Sequence, residues 1–134
     1  MNKAEKKFIY AIGRRKEAAA RVRLFKGKEE STVNGKPIKG YFPIPLQATV
    51  FRPLESAGSQ DKFYFTAKVS GGGTRGQADA LALGLARALV SANGDEVKGK
   101  LRGLGLLTRD PRIRQRRMVG MGGKARRKKQ SPKR

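Results

Sequence analysis

Apolar and polar residues alternate in two stretches of the chain, which is the pattern of a β-strand with one buried face. From Ala20 to Phe25, apolar residues take every second position, and Arg21 and Arg23 stand between them. From Asp61 to Val69, the apolar positions are the odd-numbered ones from Phe63 onward. Both stretches are therefore predicted to be strands, and the first has a cationic outer face.

Turn signals divide the region around these strands. Lys7 to Ile12 is short and contains aromatic and β-branched residues, so it predicts a further strand. Gly13 to Lys16 is expected to form a basic turn between this strand and the next one. Ser31 to Val33 runs into Asn34-Gly35, a tight-turn pair.

The helical period is clearest from Arg75 to Ala92, where an apolar stripe is closed by Asn93-Gly94. A second, shorter helix is predicted from Glu96 to Leu101, with Asp95 as its N-cap. Shorter helices are expected at Pro37 to Tyr41 and Pro53 to Ala57. Between them Pro43 and Pro45 are expected to interrupt regular structure.

This order of elements predicts an α+β fold in which one small mixed sheet packs against a helical layer. From Thr108 onward no hydrophobic period survives. We therefore expect two parts, a globular body over residues 1–108 and a long extended basic tail over residues 109–134.

The predicted tail holds half of the net charge of the chain. Arg109 to Arg134 contains twelve Lys or Arg against one acid, Asp110, a local charge of +11 within a total of +22. Few of its residues are apolar, so we expect it to take up its shape only on a polyanionic partner. Nucleic acid fits, since each phosphate contacted releases condensed counterions. A histone-like or membrane-surface polycation would share this composition.

Residue types that are missing exclude several kinds of chemistry. The chain has no cysteine and no histidine, which removes disulfides, thiolate metal sites and the commonest general base. We expect no metal and no cofactor. Met1 to Tyr10 has neither the apolar run of a signal peptide nor the arginines of a mitochondrial presequence. No stretch approaches a membrane span, so a cytoplasmic protein is expected.

A glycine motif offers an alternative function. Gly71, Gly73 and Gly76 fit G-x-G-x-x-G between a predicted strand and a helix, as in a dinucleotide fingerprint. No apolar run follows the helix to form the next parallel strand, and Gln77 stands where a phosphate-binding loop has its lysine. A sharp turn, or an anion site beside Arg75 suited to an RNA phosphate, are the other interpretations.

A second basic cluster joins the predicted turn to the strand after it. Arg14, Arg15, Lys16, Arg21 and Arg23 fall within a short stretch of the chain. A solvated face is the ordinary interpretation of such a run. The rest of the chain is also basic, so like charges repel one another in the isolated fold. Nucleic-acid binding is therefore the better interpretation of this cluster.

Several blocks of residues, in this order, resemble the family of the ninth protein of the small ribosomal subunit in its bacterial form. They run over most of the chain: Gly13-Arg14-Arg15-Lys16 with Ala20-Arg21-Val22; Val33-Asn34-Gly35-Lys36 with Tyr41-Phe42; Gly71-Gly72-Gly73, Gly76-Gln77-Ala78 and Arg87-Ala88-Leu89; Leu107-Thr108-Arg109-Asp110 and Arg112; and Lys124 to Arg127 with Lys133-Arg134. Ile12 departs from the small hydroxyl residue usual there. Ser131 and Pro132 depart from the aromatic and serine usual before the last two cations.

The resemblance implies a structural, non-enzymatic component of the small subunit that supports translation. It implies a body similar to the second domain of the fifth small-subunit protein, bound to rRNA in the head beside neighbouring head proteins. It also implies a tail that reaches the anticodon stem-loop of the peptidyl-site tRNA. The cations expected to bind rRNA are Arg14, Arg15, Lys16, Arg21, Arg23, Arg75, Arg109, Arg112, Arg114, Arg116, Arg117, Lys124, Arg126 and Arg127; those expected to bind tRNA are Lys128, Lys129, Lys133 and Arg134.

The location that follows is the cytoplasm, in a bacterial ribosome, and an organellar ribosome stays open. No membrane and no small-molecule substrate is expected. Two rival functions also stay open. One is a free-standing architectural nucleic-acid binder, and the other is a nucleotide-dependent enzyme that uses the glycine loop.

Overall fold

A computed structural model describes residues 8–58 and 62–113 of the chain. Its strands are β1 (Ile9–Arg15), β2 (Ala18–Lys26), β3 (Thr32–Val33), β4 (Lys36–Pro37) and β5 (Phe63–Ser70). Its helices are α1 (Ile38–Tyr41), α2 (Ile44–Ser56), α3 (Thr74–Asn93) and α4 (Asp95–Gly103). The predicted α+β class is confirmed.

The five strands form one mixed sheet in the order β1-β2-β5-β3-β4. β1, β2 and β5 pair antiparallel, whereas β3 lies parallel to β5 and antiparallel to β4. The Asn34-Gly35 pair forms the two-residue turn between β3 and β4, and both residues have positive φ, 52° and 81°. These angles suit the tight hairpin turn that the pair predicted.

The buried core lies between one face of the sheet and α3. Ala20, Val22 and Leu24 of β2 are almost fully buried, as are Phe65 of β5 and Leu85 of α3. This confirms the alternation read from the sequence in β2 and β5. Helix α3 packs on β1 and β2 and also contacts α2 and α4, so the described helices cover one face of the sheet only.

The first hairpin differs from its prediction. Gly13, Arg14 and Arg15 belong to β1, and the turn consists of Lys16 and Glu17 alone, with Lys16 at φ 54°. Gly13 serves a close approach rather than a turn. A Cβ at Gly13 would lie 1.9 Å from the backbone oxygen of Ala80 in α3, so only glycine lets β1 lie this near the helix.

The prolines of α2 were also misinterpreted. Pro43 is the N-cap residue of α2 and Pro45 lies in its first turn, where a missing N–H costs nothing. The helix therefore starts well before the predicted Pro53, which lies inside it. The expectation for α4 was closer, although Gly94 and not Asp95 is the N-cap residue.

Candidate nucleic-acid interface

The face of the sheet that the described helices leave uncovered is the first candidate surface, called here the outer face. The strand register places Tyr10, Arg14, Arg21, Arg23 and Lys68 on it. Four of these residues are cations, and the described strands β1, β2 and β5 place no acidic residue on the same face. The other members are Ile12, Ala19, Phe25, Tyr64, Thr66 and Ser70.

Two of the cations lie directly opposite each other. Arg21 of β2 is the cross-strand partner of Lys68 of β5, and both side chains are exposed. Like charges in this arrangement repel each other and destabilise the sheet. An anion placed between them would remove this repulsion, so the register itself favours a polyanionic partner on this face.

Aromatic rings lie at the opposite end of the outer face. Phe25 and Tyr64 stack with ring centroids 5.1 Å apart, and Phe8 lies 5.7 Å from Phe25. The guanidinium of Arg23 lies 5.2 Å from the centroid of the Phe8 ring, within cation–π range. Tyr10 stands opposite Arg23, between the aromatic end and the cationic end, and is 49% exposed.

A second cationic surface, called here the tail-root cleft, lies beside the β1–β2 turn. It has a volume of about 480 Å³ and is lined by the hairpin, α2, the start of α3 and the chain after α4. Two acids, Asp79 and Asp110, also line it. Its cations are Arg14, Arg15, Lys16, Arg52, Arg75 and Arg112.

Ion pairs inside this cleft fasten the chain after α4 to the body. The Asp110 carboxylate accepts hydrogen bonds from the backbone N–H of Arg112 (3.0 Å) and from its guanidinium (2.5–2.9 Å). It also forms an ion pair with Arg15, whose side chain is only 14% exposed. The Nε of Arg15 lies 3.7 Å from Asp79 of α3. Arg15 thus joins β1 to α3 and to the start of the predicted tail.

These contacts change the protonation equilibria of two groups. Hydrogen bonds from Arg112, and then from Arg15, hold the pKa of the Asp110 carboxyl well below its usual 3.8. The same carboxylate raises the pKa of the Arg112 guanidinium, chiefly through their side-chain hydrogen bond. Asp110 is therefore an anion at every pH at which the protein would meet RNA, and it holds two of the cleft's guanidinium groups.

The glycine loop takes a different form from the one its motif predicts. Gly71 and Gly72 have positive φ, 77° and 61°, whereas Gly73 and Gly76 do not. A Cβ at Gly71 would lie 2.4 Å from the backbone oxygen of Glu17, so this loop packs against the first hairpin. After α3 the next described element is α4 and not a strand. This geometry fits the interpretation of the glycines as a sharp turn from strand to helix.

Side chains around this loop hold it in place. Asn34 donates to the backbone oxygen of Val69 (3.0 Å) and accepts from its N–H (2.8 Å). Tyr41 donates to Gln77 (2.8 Å), and Gln77 donates to the backbone oxygen of Gly71 (3.1 Å). Residues of the family blocks named above thus have a structural role here.

The predicted rRNA-binding and tRNA-binding cations fall into four groups. Arg14, Arg21 and Arg23 are exposed on the outer face, and Arg14 also lines the tail-root cleft. Lys16, Arg75 and Arg112 line the tail-root cleft with Arg15, which is the most buried of them and is engaged with carboxylates. Arg109 is exposed but lines neither surface. The others lie outside the described residues: Arg114, Arg116, Arg117, Lys124, Arg126, Arg127, Lys128, Lys129, Lys133 and Arg134.

Sequence reasoning missed several residues of these surfaces, among them two cations and an exposed aromatic residue. Lys68 was not predicted as a site residue, although its alternation with Phe65, Ala67 and Val69 in β5 gave the signal. Arg52 was missed because α2 was predicted too short. Tyr10 was placed in a predicted strand, and nothing in the sequence there indicated that its ring would be exposed.

Two features are absent from residues 8–58 and 62–113. No helix there is both long and apolar enough to cross a membrane. No group of three or more acidic residues there could hold a metal ion.

The fold and the charge distribution define the class, a small α+β protein whose exposed cations suit a polyanion. Comparison with known proteins then identifies the family. The family profile described as "Ribosomal protein S9/S16" matches residues 13–134. "Small ribosomal subunit protein uS9" of Mesoplasma florum is 47% identical over 132 residues, 98% of this chain and 99% of the relative. The protein of the same name from Maridesulfovibrio salexigens is 45% identical over 119 residues, 88% and 91% of the two chains.

The chain therefore belongs to the ribosomal protein S9/S16 family. It is a structural protein of the small ribosomal subunit, and its place is in the ribosome. The resemblance read from the sequence is confirmed.

Proposed function

We propose that the protein binds small-subunit rRNA in the head of the subunit through the outer face and the tail-root cleft. We further propose that its basic tail, residues 109–134, extends from the body to the anticodon stem-loop of the peptidyl-site tRNA. On this proposal it acts without a cofactor and without catalysis, in the cytoplasm and beside other head proteins.

The observation that carries the rRNA proposal is the arrangement of charge on the sheet. The register aligns Arg14, Arg21, Arg23 and Lys68 on a face with no described acid, and Arg21 and Lys68 directly oppose each other. Such a face is unfavourable alone and favourable against phosphates. Arginine suits this role because its fork makes bidentate contacts with phosphate.

The tail proposal is supported by charge and by reach. Residues 109–134 carry +11, and eleven extended residues, such as Lys124 to Arg134, span about 35 Å. Asp110 fastens the start of the proposed tail to the tail-root cleft through Arg15. The last two cations, Lys133 and Arg134, would reach a phosphate far from the outer face.

The rRNA proposal is tested by the salt dependence of binding. The purified chain is titrated with a small-subunit rRNA fragment at several salt concentrations, and Arg21→Ala/Lys68→Ala is compared with Lys39→Ala/Lys98→Ala, which removes two exposed cations from helices. The outer-face variant should flatten the slope of log affinity against log salt by about one unit per lost contact. Equal slopes for both variants would reject the outer face as a phosphate-binding surface.

The tRNA proposal is tested on assembled particles. Small subunits that carry the chain without Lys133 and Arg134 are compared with intact ones by filter binding of tRNA to the peptidyl site. Subunit assembly should be intact, and tRNA binding should weaken by about 1–3 kcal/mol. A variant with Ser131→Ala serves as the control, since it changes the same end without loss of charge. Equal affinity at all salt concentrations would refute the contact.

A further inference from the structure

The outer face carries an aromatic residue that phosphate binding does not explain. Tyr10 is 49% exposed on edge strand β1 and stands directly opposite Arg23. Arg21 and Lys68 form the next row of the sheet along the strands. An aromatic ring that costs energy to expose, set among cations, suits a ligand with a flat apolar surface and negative charge.

The surface around Tyr10 is concave. A depression of about 560 Å³ is lined by Tyr10, Arg21, Arg23, Thr32, Thr66 and Lys68, together with the Asn34-Gly35 turn. This volume lies within the roughly 300–1,000 Å³ of small-ligand sites. It offers room for a nucleotide, with a ring on one wall and guanidinium and ammonium groups on the others.

We propose that this depression binds an unpaired nucleotide of RNA, with its base stacked on Tyr10 and adjacent phosphates held by Arg21, Arg23 and Lys68. The proposal rests on the proposed rRNA-binding function and names the RNA element that the face recognises. In a continuous A-form helix the bases are stacked on one another, so only a loop, bulge or strand end presents a free base. Stacking on an aromatic ring accepts any of the four bases, because every base has a flat π face.

The alternative occupant is an acidic protein segment. It would neutralise the same cations, but it would leave the Tyr10 ring without a flat partner. The aromatic end of the face supports the nucleotide. Phe8, which is exposed, and the half-buried Phe25 continue the apolar surface beyond Arg23, so there is room for a second base after the first along the sheet.

The test separates the base from the phosphates. The full chain is titrated by fluorescence anisotropy with three labelled probes of equal charge: an oligouridine of about ten nucleotides, the same backbone without bases, and an acidic peptide of glutamates. The variants are Tyr10→Ala, Tyr10→Phe and Arg21→Ala/Lys68→Ala. Ile44→Ala, at an exposed apolar residue of α2, is the control. Circular dichroism checks the fold of each variant.

Tyr10→Ala should weaken oligouridine binding about five-fold or more and leave binding of the base-free backbone unchanged. Tyr10→Phe should retain the affinity, and the double charge variant should weaken both nucleic-acid probes alike. If Tyr10→Ala affects neither probe while oligouridine still binds, the stacking site is refuted and the rRNA proposal survives. If the acidic peptide binds as tightly as oligouridine, the nucleotide assignment is overturned. If no RNA probe binds at all, both proposals fall.

Discussion

Arg15 in the first strand and Asp110 after the last helix form an ion pair that joins the two ends of the described chain. Arg112 completes the contact by binding the same carboxylate with its backbone N–H and its guanidinium. The root of the basic tail is therefore attached to the hairpin that carries Arg14 and Lys16. A residue of the opposite charge within a strongly cationic segment has a defined use here, since it holds Arg112 and Arg15 together.

The first prediction concerns this attachment. Asp110→Ala should free Arg112 and speed tryptic cleavage of the Arg112–Ile113 bond, because a guanidinium held by a carboxylate is less available to the protease. Glu96→Ala, which removes an exposed acid from α4, is the matched control. Initial cleavage rates under native conditions, read by mass spectrometry, decide the matter. Equal rates in Asp110→Ala and wild type would show that the contact does not hold the tail root.

The second prediction concerns pH. The pKa of Asp110 in the folded protein lies below its usual 3.8. Its ion pairs therefore stabilise the fold fully at pH values above that usual pKa. This stabilisation is lost progressively as the pH falls from about 3.8 to the lowered pKa. The difference in melting temperature between wild type and Asp110→Asn should thus be constant from pH 6 to about pH 4 and narrow at more acidic pH. A difference that already shrinks between pH 6 and pH 5 would contradict this assignment.

A third prediction follows from the contact between β1 and α3. A Cβ at Gly13 would overlap the backbone of Ala80 and Gly84, and a Cβ at Gly84 would lie 2.8 Å from Val22. Gly13→Ala or Gly84→Ala should lower the free energy of unfolding by about 1–3 kcal/mol or more through overpacking.

Gly99 of α4 provides the control for this pair, because a Cβ there would point into open space and contact no other part of the described chain. Gly99→Ala should raise the free energy of unfolding by about 0.5–1 kcal/mol, since alanine favours the helix. Urea denaturation of the three variants measures all of these differences. Gly13→Ala as stable as wild type would show that β1 and α3 do not approach so closely.

The fourth prediction separates the glycines of the loop before α3. Gly71→Ala should destabilise by at least about 1–2 kcal/mol, because it forces a side chain into the left-handed region. Gly76→Ala should be tolerated, since its Cβ would make only ordinary contacts at 3.8 Å. Urea denaturation again gives the values. The reverse order would restore the motif interpretation, in which Gly73 and Gly76 carry the constraint.

The class of the fold and the main elements could be predicted because local patterns determine them. Alternation gave β2 and β5, the apolar stripe gave α3, and Asn34-Gly35 gave its turn. The errors arose at residue types that have more than one structural use. Gly13 was assigned to a turn, although its role is to admit α3. Pro45 was interpreted as a break, although it lies in the first turn of α2.

The positive charge of the candidate site could be predicted, but the division of its cations between the outer face and the tail-root cleft could not. The sequence showed that Arg14 and Arg15 are cations in one cluster, and alternation in a strand sends neighbours to opposite faces. Which face meets α3 and Asp110 depends on packing that no local pattern contains. The partner of Arg15 lies 95 residues further along the chain.

The last prediction concerns Arg14 and Arg15, which are neighbours in the chain but should have different roles. Arg14 is exposed at the edge of the outer face, whereas Arg15 is engaged by Asp79 and Asp110. Arg14→Ala should flatten the salt slope of rRNA-fragment binding by about one unit and leave the melting temperature unchanged. Arg15→Ala should lower the melting temperature, because it leaves two carboxylates without their shared cation, and should change the salt slope less.

The comparison needs both measurements on both variants, with rRNA binding followed across salt concentrations and unfolding followed by circular dichroism. Arg15→Lys serves as a further control, since it keeps the charge but loses the guanidinium that spans Asp79 and Asp110. It should restore the melting temperature only in part. A larger loss of salt slope in Arg15→Ala than in Arg14→Ala would mean that RNA displaces Asp110 from Arg15, and the cleft rather than the outer face would then be the principal phosphate site.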